Sequence, residues 1–185
     1  LLEILNIKKA HIIGASMGGM ITQILALDHP DKVLTITPIM TSPGMQNDSL
    51  SGPTEELLEA YKKSFVHNVR GRIEDGVVEI YRQLTGSRFP FDEQKFRDKL
   101  KPVISHGNNP FALHVDAVGA SPDRTSRLNE IKVPALIIHG TEDAILPLDH
   151  GMAVADGIND SRKMIMEGVG PVSYTHLRAH ETRFY

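Results

Sequence analysis

The sequence predicts an α/β fold, a mostly parallel sheet carrying an inserted block of helices. Two observations predict it. Short apolar runs alternate with helical patterns at both ends of the chain, which is the signature of parallel strands joined by crossover helices. Between them, residues 45–127 carry helical periodicity without strands.

The elements follow in order. Leu1–Ile7 has apolar residues at 1, 2, 4, 5 and 7, a helical spacing that stops at Lys8-Lys9. "AHIIGAS" is a short buried strand. From Met17 to Leu27 an apolar stripe of Met20, Ile21, Ile24, Leu25 and Leu27 predicts a helix, closed by His29-Pro30. "KVLTITPIM" is the next strand, ended by Ser42-Pro43-Gly44. Amphipathic helices are then expected around Leu57–Phe65, Val77–Leu84, Phe96–Leu100 and Phe111–Val118. "VPALIIHG", a helix after Pro147 and "KMIME" resume the alternation before Gly168. The expected divisions are 1–44 and 128–170 for the sheet and 45–127 for the helical insertion.

Composition narrows the function classes. The 185 residues carry 20 Lys and Arg against 23 Asp and Glu, a formal charge of -3 that offers no footprint for nucleic acid or an anionic membrane. With no cysteine, disulfides, thiolate metal sites and a cysteine nucleophile are excluded. No apolar run approaches the ~18 residues of a membrane span. With no such run and nothing resembling a signal peptide, a cytoplasmic protein is expected.

Chemistry concentrates at "GASMG". Gly14-Ala15-Ser16-Met17-Gly18 satisfies G-x-S-x-G, with a strand before it and a helix after, the arrangement of a nucleophile elbow. On so sharp a turn Ser16 is held strained, and side chains at Gly14 and Gly18 are expected to collide. The turn also brings the first N–H groups of the helix, that of Met17 among them, to where an oxyanion would develop. The same residues also read as a glycine-rich turn that cradles a phosphate.

In "HGTEDAILPLDHG", Asp143 follows a strand end by three residues, where a triad carboxylate can hold an imidazole. Glu142 and Asp149 are its competitors, and both also read as solvated charges. His139, Glu142 and Asp143 together make a weak metal cluster, and no metal site is expected.

"HIIGASMGGMITQILALDHPDKV", "SPDRTSRLNEIKVPALIIHGTEDAILPLDHG" and "MIMEGVG", in this order, resemble the α/β-hydrolase superfamily, and within it the capped esterase branch of aclacinomycin methylesterase-like proteins. The likeness covers about residues 1–170 and corresponds to the C-terminal part of that fold. It implies a helical cap over the site and a Ser-Asp-His triad hydrolysing small-molecule esters or related acyl bonds without a cofactor. Ser16 would be the nucleophile, Met17 an oxyanion donor and Asp143 the acid. Rival chemistries on the same scaffold are thioester, amide or C–C bond hydrolysis, acyl transfer and cofactor-free haloperoxidase activity. A ligand-binding protein without turnover is the alternative from another class. Met45, Tyr61, Phe65, Tyr81 and Phe111 are candidates to line the cap, though such aromatics also serve as helix packing.

Two departures from the family pattern stand out. The strands and the loop with a second oxyanion donor that precede the elbow in the family have no counterpart before Leu1. The triad histidine expected after "EGVG" is replaced by Pro171. The following "VSYTHLRAHET" resembles a translated transposase sequencing adaptor, so residues 171–185 are expected to be an artefact and His176 and His180 are set aside; the alternative is a natural divergent tail in which one of the two serves as the base. The adaptor frame fits one genuine C at codon 171, the base that begins the codons of histidine and equally those of leucine, glutamine, arginine and proline. A fragment lacking its base, and therefore inactive alone, is the expectation.

Overall fold

The computed structural model describes residues 1–105 and 116–172. Predicted helix residues 111–115 and the adaptor-like residues from 173 onward lie outside that range. The chain divides into two compact units, Leu1–Ser51 with Phe111–His139 and Leu148–Met166, and Gly52–Pro110 with Gly140–Pro147 and Glu167–Tyr185.

The first unit is built on four strands, β1 (Ala10–Ala15), β2 (Val33–Ile39), β3 (Leu136–Gly140) and β4 (Arg162–Met166), neighbours in that order. β1 pairs with β2 and β2 with β3, both parallel. A connection between parallel neighbours must cross over, and α1 (Met17–Asp28) lies between β1 and β2 in the chain. α5 (Leu148–Gly157) lies between β3 and β4. One face of the sheet is buried: Ile12, Val33, Ile36 and Ile137 pack with Leu25 and Ala26 of α1, with Val154 and Ala155 of α5, and with Leu128 and Ile131. The alternate residues of β1 point the other way, leaving Ile13 70% exposed.

Local chemistry sets the boundaries. α1 ends where the His29 N–H bonds the Leu25 carbonyl and Pro30, lacking a donor, opens a single 3₁₀ turn. Leu1–Ile7 is a correction to the predicted helix. Its residues form turns, because Asn6 takes a left-handed φ of 54° and the Ile7 N–H reaches back to the Leu2 carbonyl, a helix-terminating bond. Leu1 and Ile4 are each 86% exposed, so no packing offsets the cost of helix nucleation.

The second unit holds α2 (Glu55–Val69), α3 (Ile73–Gln83) and α4 (Glu93–Ser105). Thr54 caps α2 by accepting the Leu57 N–H at 3.3 Å, with Glu55 and Glu56 favourably placed in its first turn. Leu57, Leu84 and Ala144 form its core, with Ile80, Ile145 and Val172 against them. Tyr81 stacks on Phe96 at 4.5 Å, so this cap-lining candidate is occupied in helix packing. Pro171 is buried, and the Val172 N–H bonds the Leu84 carbonyl.

Candidate active site

β1 delivers the chain into its turn with the strand ladder intact to the last residue: the Ser16 N–H donates to the Ile39 carbonyl of β2 at 2.9 Å. Ser16 then adopts φ 54° and ψ -119°, a left-handed conformation that costs a side-chain-bearing residue roughly 1–3 kcal/mol. Such strain persists only where neighbours impose it, and here they do. The Ser16 carbonyl accepts the N–H groups of Gly19 and Met20 and the hydroxyl of Thr41, at 2.8, 3.2 and 2.8 Å. The serine is thus gripped at both backbone groups while its side chain, without a capping bond to the helix, stays partly exposed.

The two glycines of the motif are unequal. A Cβ on Gly14 would lie 2.1 Å from the Gly18 carbonyl oxygen, so that position admits only glycine. The expected collision at Gly18 does not occur: a Cβ there meets nothing within 4 Å. The steric demand runs one way, because it is the Gly18 carbonyl that crosses the strand at Gly14. Gly19 is the second restrictive position, since its Cβ would sit 2.6 Å from that of Thr41.

Behind the turn lies a polar network that sequence reasoning missed. Buried Gln23 of α1 donates to the Ser42 carbonyl at 3.0 Å and accepts from Arg124 Nε at 3.4 Å. Arg124 also donates to Ser121 Oγ and the Pro122 carbonyl, and its N–H bonds the Pro43 carbonyl. Burial pushes the Arg124 guanidinium pKa down. The available signal was a glutamine interrupting an otherwise apolar helix stripe. His150, buried in the same unit, bridges Ser42 Oγ at 2.9 Å and the Ser51 carbonyl at 2.8 Å.

Asp143 belongs to the second unit, on the loop three residues beyond β3, and is buried. Its Oδ1 accepts the N–H groups of Ile145 and Leu146 at 3.0 and 2.9 Å, a turn that fixes the carboxylate's direction. Its competitors are engaged elsewhere. Glu142 takes the N–H and hydroxyl of Ser87, each at 2.6 Å, and Asp149 takes the Ser51 N–H at 2.7 Å. Burial pushes the Asp149 carboxyl up, but the bonds from Ser51 and the charge of His150 outweigh it and leave the carboxyl below its usual range. Among the described residues no group of three or more His, Asp or Glu is placed to hold a metal ion. Gly14, Ser16, Met17 and Gly18 therefore share one elbow in the first unit, and Asp143 is held on its own turn in the second.

The family model of the alpha/beta hydrolase fold matches residues 1–174, and the chain belongs to that family. A 2-hydroxy-6-oxononadienedioate/2-hydroxy-6-oxononatrienedioate hydrolase of Paraburkholderia phymatum is 29% identical over 164 residues, covering 85% of this chain and 54% of that protein. Rhodomycin D methylesterase DauP of Streptomyces sp. is 28% identical over 192 residues, covering 91% of this chain and 63% of its own length. Among solved structures, MGS-M2, an alpha/beta hydrolase from a Medee basin deep-sea metagenome library, aligns with a TM-score of 0.71 at 17% identity over 95% of this chain and 63% of that one. The chain thus spans 54% to 63% of the length of these relatives.

Proposed function

We propose that the protein carrying this chain is a serine hydrolase of carboxylic esters. The observation that carries the reading is the strained, doubly gripped Ser16 at a strand-to-helix turn, in a chain of the alpha/beta hydrolase fold family. In this reading Ser16 attacks the acyl carbon and a histidine accepts its proton. Asp143 holds that imidazole and stabilises its charge, the Met17 N–H receives the oxyanion, and water releases the acyl-enzyme. The place expected for the histidine is directly after Gly170, at codon 171. A small-molecule ester is the substrate class, supported by the methylesterase relative. The ring-cleavage-product hydrolase relative favours a second reading, hydrolysis of a C–C bond beside a carbonyl.

The test is turnover by the full-length protein of p-nitrophenyl acetate against a vinylogous 1,5-diketone acid. Ester turnover that exceeds C–C cleavage, and falls on the order of a millionfold in kcat with Ser16→Ala, supports the first reading. Preference for the diketone selects the second. Turnover indifferent to Ser16→Ala, or ligand binding without turnover, overturns both.

A further inference from the structure

Thr41 sits two residues beyond β2, outside the G-x-S-x-G motif, and its hydroxyl donates to the Ser16 carbonyl at 2.8 Å. That carbonyl belongs to the same peptide unit as the Met17 N–H. The unit is planar and trans, so its N–H points opposite to its C=O, and whatever fixes the oxygen aims the hydrogen. Met17 opens α1, where an N–H has no partner within the helix.

We propose that Thr41 is a positioning residue for oxyanion stabilisation: by holding the Ser16 carbonyl it aims the Met17 N–H at the developing charge. The inference rests on the serine-hydrolase reading above.

Three further features point the same way. The two helical donors to the Ser16 oxygen, Gly19 and Met20, both come from α1, whereas Thr41 comes from the exit of β2 and restrains the peptide from a different element. Gly19 makes room for it, since a Cβ there would lie 2.6–2.8 Å from the Thr41 side-chain atoms. And the segment that carries Thr41 is itself immobilised. Gln23 holds the Ser42 carbonyl, Arg124 holds the Pro43 carbonyl, and Ser42 Oγ bonds within its own turn to Gly44. Thr41 is fully buried, so this hydroxyl has been withdrawn from water to make one bond to one carbonyl. A buried donor is retained there at a cost in desolvation that valine, of equal shape, would not incur.

The test is made in the full-length protein with Thr41→Val, Thr41→Ala and Thr41→Ser. Complete loss of an oxyanion donor is worth roughly 10²–10³ in kcat, and a misaimed donor retains part of that. Thr41→Val and Thr41→Ala are expected to lower ester kcat about tenfold with KM within about twofold, and Thr41→Ser to restore kcat. Affinity for a trifluoromethyl ketone, which forms the tetrahedral oxyanion, should fall in step with kcat. Affinity for the matching secondary alcohol, which forms none, should hold. Unchanged kcat in both Thr41→Val and Thr41→Ala, or equal losses for ketone and alcohol, would overturn the proposal. Thr41→Ala serves if Thr41→Val does not fold. Where Ser16→Ala abolishes turnover and the Thr41 variants are silent, only the positioning role fails; where Ser16→Ala itself is silent, the functional reading fails with it.

Discussion

At the scale of single residues, the elbow separates steric necessity from pattern. Gly14 faces the Gly18 carbonyl at a distance no Cβ tolerates, and both atoms are backbone, so neither can yield by a rotamer change. Gly14→Ala is expected to destabilise the first unit by more than ~2 kcal/mol, as forced overpacking does. Gly18→Ala meets open space and replaces glycine inside a helix, which favours it by up to about 1 kcal/mol. Urea unfolding of the two variants checks the contrast, and equal destabilisation would refute it. The strain at Ser16 is the other residue-level feature. It is tolerated because β2, α1 and Thr41 together over-determine one backbone conformation.

At the scale of elements, the second unit is laced by charge as well as by its small core. Arg97 of α4 bonds Glu74 and Asp75 of α3 at 3.0 and 2.9 Å and Glu93 of its own helix at 2.8 Å, while Arg82 of α3 reaches Glu93. Hydrogen bonds from Arg97 and then Arg82 hold the Glu93 carboxyl below its ordinary value of 4.5. The carboxyl is more acidic folded than unfolded, so its contribution is complete above pH 4.5 and is lost as pH falls below it. Acidification from pH 5 to pH 3 should therefore lower the melting temperature of wild type more than that of Arg97→Met, and 0.5 M salt should narrow the gap at pH 7. Circular dichroism melts report both, and parallel pH curves would contradict the role given to Arg97.

The same scale shows what the sequence made legible. Every predicted strand is present, and the helices at Met17, Leu57, Val77, Phe96 and Leu148 stand within a few residues of their periodic stripes. Strands and amphipathic helices announce themselves through local patterns, so they survive being read one segment at a time. Leu1–Ile7 did not, because its spacing is helical but nothing covers it. The strand-to-helix turn at Ser16 was readable for the reason the strands were: the glycines and the strand before them are contiguous. The support beneath it was not. Thr41 lies 25 positions and Arg124 lies 101 positions from its partner, and no local pattern encodes a contact at such range. The place of Asp143 on the loop after β3 was reachable by counting from a strand end, but the turn that holds its carboxylate is a three-dimensional fact.

At the scale of the whole molecule, β1 ends the strand order, and among the described residues only β2 pairs with it. Parallel sheets are normally covered on both faces and protected at their edges. Here Ile13 is 70% exposed on the edge strand itself. The 185-residue chain is therefore expected to self-associate at micromolar concentration, and Ile13→Lys to reduce light scattering severalfold. A monodisperse monomer with Ile13 intact would show the edge to be harmless.

If Ser16 is an activated nucleophile, covalent capture will report it. Full-length protein is treated with a fluorophosphonate and the adduct is mapped by mass spectrometry of its peptides. Phosphonylation confined to Ser16, and slowed by Asp143→Asn, is the predicted result. A protein that binds the ester yet carries no adduct at Ser16, or carries it on another serine, would contradict the account.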